Sequence, residues 1–255
     1  MNLRVLGCSG SVGRGLDTTS LLIDDDILID AGTGVGSMTV DEMRRVRHIF
    51  LTHSHLDHLV SLPFMVDTLF GKDVPPLRLH ARPETLQALR EHIFNWSIWP
   101  NFAELPSKQA PVLVFEEMRP GECAEIAGRQ IEMIEVNHVV PGAGYYVHNG
   151  ASAFCFSGDT TTNDTLWAAL NARDRLDLLI VEVGFGNANR WLAEVSKHYC
   201  PDLLADDMAK LRRHRPRVAI SHLKPGVEDQ TYGECLEAIV GFDLLRLRGG
   251  DTFTL

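Results

Sequence analysis

Short apolar runs recur along the chain between turn-rich and helix-patterned stretches. Leu3–Leu6, Ser20–Ile23, Ile27–Ile29, His48–Leu51, Leu77–His80, Val112–Phe115, Ile131–Val136, Ala153–Phe156, Leu178–Val181, Val218–Ile220 and Leu244–Leu247 have the length and composition of strands. Helical periodicity marks Asp57–Phe70, Pro83–Phe94, Thr162–Leu170, Pro201–Arg213 and Asp229–Ile239, with Pro83 and Pro201 placed where a first turn tolerates proline. Strands come first in hairpins and later alternate with helices. That order predicts an α+β molecule, with sheets packed together and helices outside. No Ser/Gly-rich linker, charge block or repeat divides the chain, so residues 1–255 are expected to form a single domain.

The stretch Asn95–Pro111 departs from this rhythm. It sets Trp96, Trp99 and Phe102 among Pro100, Pro106 and Pro111 without a regular period, which predicts a long structured loop that serves as a substrate lid, an edge cover or a subunit contact.

Composition narrows the function. The 34 Asp and Glu against 24 Lys and Arg give a formal charge of −10, a field that repels polyanions and leaves only local sites for small anions. Nucleic acid is therefore not an expected partner. Five scattered cysteines, none spaced Cys-x-x-Cys, argue against a disulfide framework or a thiolate zinc knuckle and point to a reducing cytoplasm. No apolar stretch is long enough for a signal peptide or a membrane span, so no membrane association is expected.

The chemistry concentrates in His53-Ser54-His55-Leu56-Asp57-His58. Four ligand-type side chains in six positions follow a strand-like run and open a helix-like pattern, at a strand-to-helix corner. Imidazole and carboxylate suit borderline divalent metals, and two histidines two residues apart on extended chain can aim at one ion while Asp57 and His58 reach a second. A polar helix cap with surface histidines is the competing explanation. It accounts poorly for so dense a ligand set.

This run resembles the signature of the metallo-β-lactamase superfamily, His-x-His-x-Asp-His. Further segments match in order: Asp30-Ala31-Gly32-Thr33-Gly34, His138, Ser157-Gly158-Asp159-Thr160 and Ser221-His222. The resemblance implies a four-layer αββα sandwich with a two-metal site at the edge of the sheets. One ion would have His53, His55 and His138, the other Asp57, His58 and His222, with Asp159 between them. Iron-using members of the superfamily place Glu where His55 stands, so two divalent ions, zinc first and manganese second, are expected. Held about 3.5–4 Å apart, they would supply a hydroxide for hydrolysis.

Within the superfamily, His53-Ser54-His55-Leu56-Asp57-His58-Leu59, Asn137–Pro141, Ile180–Asn187, Ser196–Pro201 and Ile220–Pro225 resemble the class II cyclic-nucleotide phosphodiesterases, whereas Leu62-Pro63-Phe64-Met65 departs from them. Ala193–His198 also resembles the histidine motif of the RNA 3′-end endonuclease tRNase Z. The resemblance implies hydrolysis of 3′,5′-cyclic nucleotides such as cyclic AMP, or of a related small phosphodiester, with Asp57 and His198 as catalytic residues. The alternatives are RNA 3′-end cleavage, or lactone, thioester or sulfate-ester hydrolysis on the same metals. Lys224 is a second candidate for phosphate contact, and a homodimer is a candidate assembly.

Overall fold

The computed structural model describes Met1–Leu255. Two seven-stranded sheets dominate it. The first runs in the order Thr252–Thr254, Asn2–Gly7, Ser20–Ile23, Ile27–Ile29, His48–Phe50, Leu77–Ala81, Leu113–Glu117. The second runs Asp243–Arg246, Arg217–Ser221, Leu178–Glu182, Ala153–Phe156, Gly142–His148, Arg129–Val136, Cys123–Ile126.

Alternating side chains explain the layering. In Ser20–Ile23 and Ile27–Ile29, Leu21, Ile23, Ile27 and Ile29 enter the core between the sheets, where they meet Ile131, Met133, Tyr145, Val147, Phe154 and Ile180 of the second sheet. Leu22 and Leu28 point the other way and pack with Leu62, Val66, Leu86 and Leu89 from helices Leu62–Leu69 and Pro83–His92. On the outer face of the second sheet, Leu179, Val181 and Ile220 pack with Trp167, Leu170, Leu204, Met208 and Cys235 from helices Thr165–Ala172, Pro201–Met208 and Glu228–Ala238. A strand with both faces covered must be apolar throughout, which is why these runs lack polar alternation. The result is the expected αββα order of layers.

Several elements differ from expectation. The helix expected over Asp57–Phe70 is two helices, Leu56–Leu59 and Leu62–Leu69. The break falls where the Ser61 amide turns to the Ala31 carbonyl (2.9 Å), a tertiary bond that replaces a helical one. Strands Cys123–Ile126, Gly142–His148 and Thr252–Thr254, and helix Arg190–Ser196, were not expected. The Asn95–Pro111 stretch extends the first helical layer: Phe102 is 2% exposed against Phe70, and Trp99 meets Phe64 edge-on at 5.1 Å. Trp96 and Ile98 remain 59% and 63% exposed. No helix is long and apolar enough to cross a membrane.

His48 and His80 form a half-buried pair away from the metal motif. Their Nδ1 and Nε2 atoms lie 3.0 Å apart, and the His80 ring stacks on Phe50 at 4.4 Å. Such a bond needs one ring to accept. Burial first, and then the neighbouring His48, push the His80 pKa down from 6.5 to about 4, and burial also lowers that of His48. The folded state thus resists a proton that the unfolded chain accepts: stability is complete above about pH 6.5 and declines as pH falls toward 4. The decline attributable to His80 is expected to reach about 2–3 kcal/mol. His80→Phe should flatten the fall in melting temperature between pH 6.5 and 4; an unchanged slope would contradict this assignment.

Candidate metal centre

The parallel strands Ile27–Ile29, His48–Phe50 and Leu77–Ala81 of the first sheet end at one edge, as do Arg129–Val136, Ala153–Phe156, Leu178–Glu182 and Arg217–Ser221 of the second. The loops after them carry Asp30, His53 to His58, His138, Asp159 and His222, with Glu182 at its own strand's end. All seven ligand candidates named above come together there. His53, His55, His138 and Asp159 form one group, and Asp57, His58, Asp159 and His222 a second, with all donor atoms of each within 4.8 Å of one another. Asp159 belongs to both.

The spacings, 3.2–3.9 Å, are close to those of ligands around a cation. A tetrahedral ion with ligand distances of about 2.0–2.2 Å separates neighbouring donors by about 3.3–3.6 Å. In the first group His138 Nε2 and His55 Nδ1 are 3.2 Å apart, and His53 Nε2 is 3.8 Å from Asp159 Oδ2. In the second, Asp159 Oδ2 is 3.2 Å from His58 Nε2 and its Oδ1 is 3.3 Å from His222 Nδ1, while Asp57 Oδ2 lies 3.7 Å from His58 Nε2 and 3.9 Å from His222 Nε2. His53 Nε2, His58 Nε2 and both nitrogens of His222 are buried without a hydrogen-bond partner. Leaving such atoms unsatisfied is costly, and a divalent cation would satisfy one nitrogen of each ring through its lone pair. The donor set therefore fits two divalent ions.

Neighbouring groups set the tautomers. Thr52 Oγ1 donates its one proton to Asp30 Oδ2 (2.8 Å), so His53 Nδ1, 3.0 Å from the same oxygen, must donate to it and turn Nε2 inward. His58 Nδ1 donates to Asp30 Oδ2 at 2.7 Å, and His138 Nδ1 to the Lys197 carbonyl at 2.9 Å, with the same consequence. Burial holds the His53 and His222 pKa values well below the usual range and that of His138 at about 4, leaving neutral rings with a lone pair to offer. Burial also opposes charge on His58, but Asp159 and Asp30 outweigh it and pull that pKa well up; a cation at Nε2 would take the proton's place.

Three of the seven non-glycine residues with positive φ lie here. Asp30, Lys197 and His222 have φ of 59°, 53° and 61°, a region side chains with a β-carbon rarely occupy. The His222 turn is gripped by the loop after Asn2–Gly7: its amide donates to Cys8 O (2.7 Å), and Gly10 N donates to Leu223 O (3.0 Å). Gly10 is required for close approach, since a β-carbon there would stand 2.4 Å from His222 O. The glycine-rich start thus serves as a turn that holds the His222 loop.

His198 lies at the second group's border. Its Nδ1 donates to Glu182 Oε1 at 2.8 Å and is 4.0 Å from Asp159 Oδ2, while Nε2 is left for other contacts. Burial opposes a charge on this ring, yet the Glu182 carboxylate raises its pKa above the usual value. Tyr199, the next residue, is anchored through its hydroxyl to buried Asp207 (2.7 Å), which Trp167 Nε1 also contacts at 3.0 Å. Lys224 Nζ donates to Gly10 O at 2.6 Å and lies over the Phe185 ring, so this cation helps fasten the same loop.

Three supporting residues carried no assigned role in the sequence: Asp30, Thr52 and Glu182. Glu182 had a usable signal, because a carboxylate inside the apolar run Leu178–Val183 must find a buried partner.

Comparisons with known proteins agree with this fold. A family model described as a β-lactamase superfamily domain matches residues 25–238. The probable 3′,5′-cyclic-nucleotide phosphodiesterase of Yersinia pestis is 24% identical over 72% of this chain and 58% of its own length. The ribonuclease Z of Halorubrum lacusprofundi is 30% identical over 57% of this chain and 47% of its own. The chain thus spans about half the length of these two relatives. The crystal structure of unliganded yeast PDE1 superposes with a TM-score of 0.81 over 97% of this chain and 98% of that one, at 15% identity. With the family model covering most of its residues and its two sheets flanked by helices, the chain belongs to the β-lactamase superfamily and has the metallo-β-lactamase fold.

Proposed function

We propose that the chain is a two-metal phosphodiesterase acting on 3′,5′-cyclic nucleotides or a related small phosphodiester. The observation that carries this reading is the adjacency of His198, paired with Glu182, to the carboxylate shared by both ligand groups. His53, His55 and His138 would hold one divalent cation, Asp57, His58 and His222 the other, with Asp159 between them; zinc suits this set, manganese second. Bound there, the cations would supply a water acidic enough to attack at neutral pH and would neutralise charge on the phosphoryl oxygens. Asp57, half-exposed beside the second group, would orient that water. Glu182 holds His198 through Nδ1, so Nε2 is the atom that would deliver a proton to the departing ester oxygen. Carboxyl esters and thioesters place no such demand on His198.

The phosphodiesterase relatives support the small substrate, and the charge of −10 disfavours an RNA backbone. Five unpaired cysteines suit a reducing compartment. The 30% identity to a ribonuclease Z favours one second reading, RNA 3′-end cleavage. Purified protein loaded with zinc or manganese should hydrolyse 3′,5′-cyclic AMP and bis-p-nitrophenyl phosphate, and should leave precursor tRNA intact at physiological salt. Cleavage of the tRNA with no turnover of either small diester would replace the first reading by the second.

A further inference from the structure

Lys197 ends the helix Arg190–Ser196 in the left-handed conformation, φ 53° and ψ 53°, a position that glycine or asparagine ordinarily takes. A lysine held there needs a reason beyond stopping a helix. Its main chain supplies one. The peptide unit joining Lys197 to His198 is tied at both ends: its carbonyl accepts from His138 Nδ1 at 2.9 Å, and its amide donates to Ala193 O at 2.9 Å. The ammonium adds a return contact, Lys197 Nζ donating to His138 O at 3.2 Å. Two segments 59 residues apart are thus bonded reciprocally, with a first-group ligand on one side and His198 on the other.

The consequences run in both directions. The bond to Nδ1 fixes the His138 tautomer and aims Nε2 at His55 Nδ1, 3.2 Å away. The same turn sets the following residue, His198, in its slot against Gly184, where a β-carbon would meet the imidazole at 3.0 Å, and against Glu182. Turning the peptide out of the left-handed region would remove the acceptor from His138 and swing the His198 backbone together.

We propose that Lys197 is a positioning residue that couples the first cation subsite to His198 through its left-handed carbonyl. The inference rests on the two-cation reading and adds to it that the subsites share one backbone hinge. Lys197→Gly preserves the left-handed turn, whereas Lys197→Val, β-branched, disfavours it.

The test uses the metal-free full chain titrated with cobalt chloride, with uptake followed by chelator competition and by visible absorption, and melting temperature measured in parallel. The wild-type chain and Lys197→Gly should each bind two cobalt ions with the same spectrum. Lys197→Val should weaken one of the two ions about 10–100-fold and alter the absorption of that ion alone. The ion that remains tight then reports that the chain is folded. Should Lys197→Val fail to fold, Lys197→Ala is judged by the same criteria. A Val or Ala variant that melts earlier but binds both ions with wild-type affinity and spectrum overturns the proposal, leaving Lys197 a helix cap. A wild-type chain that takes up no cobalt overturns the two-cation reading, and this proposal with it.

Discussion

Asp159→Ala is expected to lower metal-dependent hydrolysis of bis-p-nitrophenyl phosphate by about 10³–10⁵-fold, equivalent to several kcal/mol of lost charge stabilisation. Asp159 is the one side chain in both ligand groups, and it is buried among His53, His58 and His222. Burial opposes its charge, but the surrounding imidazoles, His222 and His58 foremost, hold its carboxyl well below the usual range. Removing it takes away the only anion shared by the two groups and disturbs both subsites together. Loss of a ligand from one subsite alone, as in His138→Ala, should spare the other ion. An Asp159→Ala enzyme that stays within tenfold of wild type would show that the two groups do not act through a common carboxylate.

The second large effect concerns His198. On 3′,5′-cyclic AMP, whose departing sugar oxygen needs a proton, His198→Ala should reduce kcat by about 10²–10⁴-fold. On bis-p-nitrophenyl phosphate, which expels a stable phenolate, the loss should be below about tenfold, because general acid assistance matters little for a weakly basic leaving group. Glu182→Gln should move the same way on cyclic AMP, since Glu182 Oε1 holds His198 Nδ1 and also accepts from Thr160 N at 3.0 Å. Equal losses on both substrates would assign His198 to structure or substrate binding.

The parts of this site legible in the sequence are those whose chemistry is local. His53, His55, Asp57 and His58 stand out because ligand types crowd one strand-to-helix corner, and His138, Asp159 and His222 because their segments match the superfamily's pattern in order, each after an apolar run that forms a strand. The partners that aim these residues depend on tertiary topology. Asp30 reaches His58 across 28 residues, Glu182 reaches His198 across 16, and the Lys197 contact is made by a main-chain carbonyl that no side-chain pattern reveals. The fold shows the same division. Central strands buried on both faces are continuous apolar runs and were readable, whereas Cys123–Ile126 is an edge strand with two exposed side chains, and Gly142–His148 carries two glycines that allow Gly144 to approach Phe156 O and Ser157 O. The split of the helix after the metal motif depends on Ala31 O, a partner 30 residues upstream.

The most direct test of the two-metal account is a metal count. After reconstitution with zinc and removal of excess ion, elemental analysis of the purified protein should give two zinc ions per chain for the wild type and no more than one for His138→Ala. A wild-type chain that retains no zinc, or a His138→Ala chain that retains two, would contradict it.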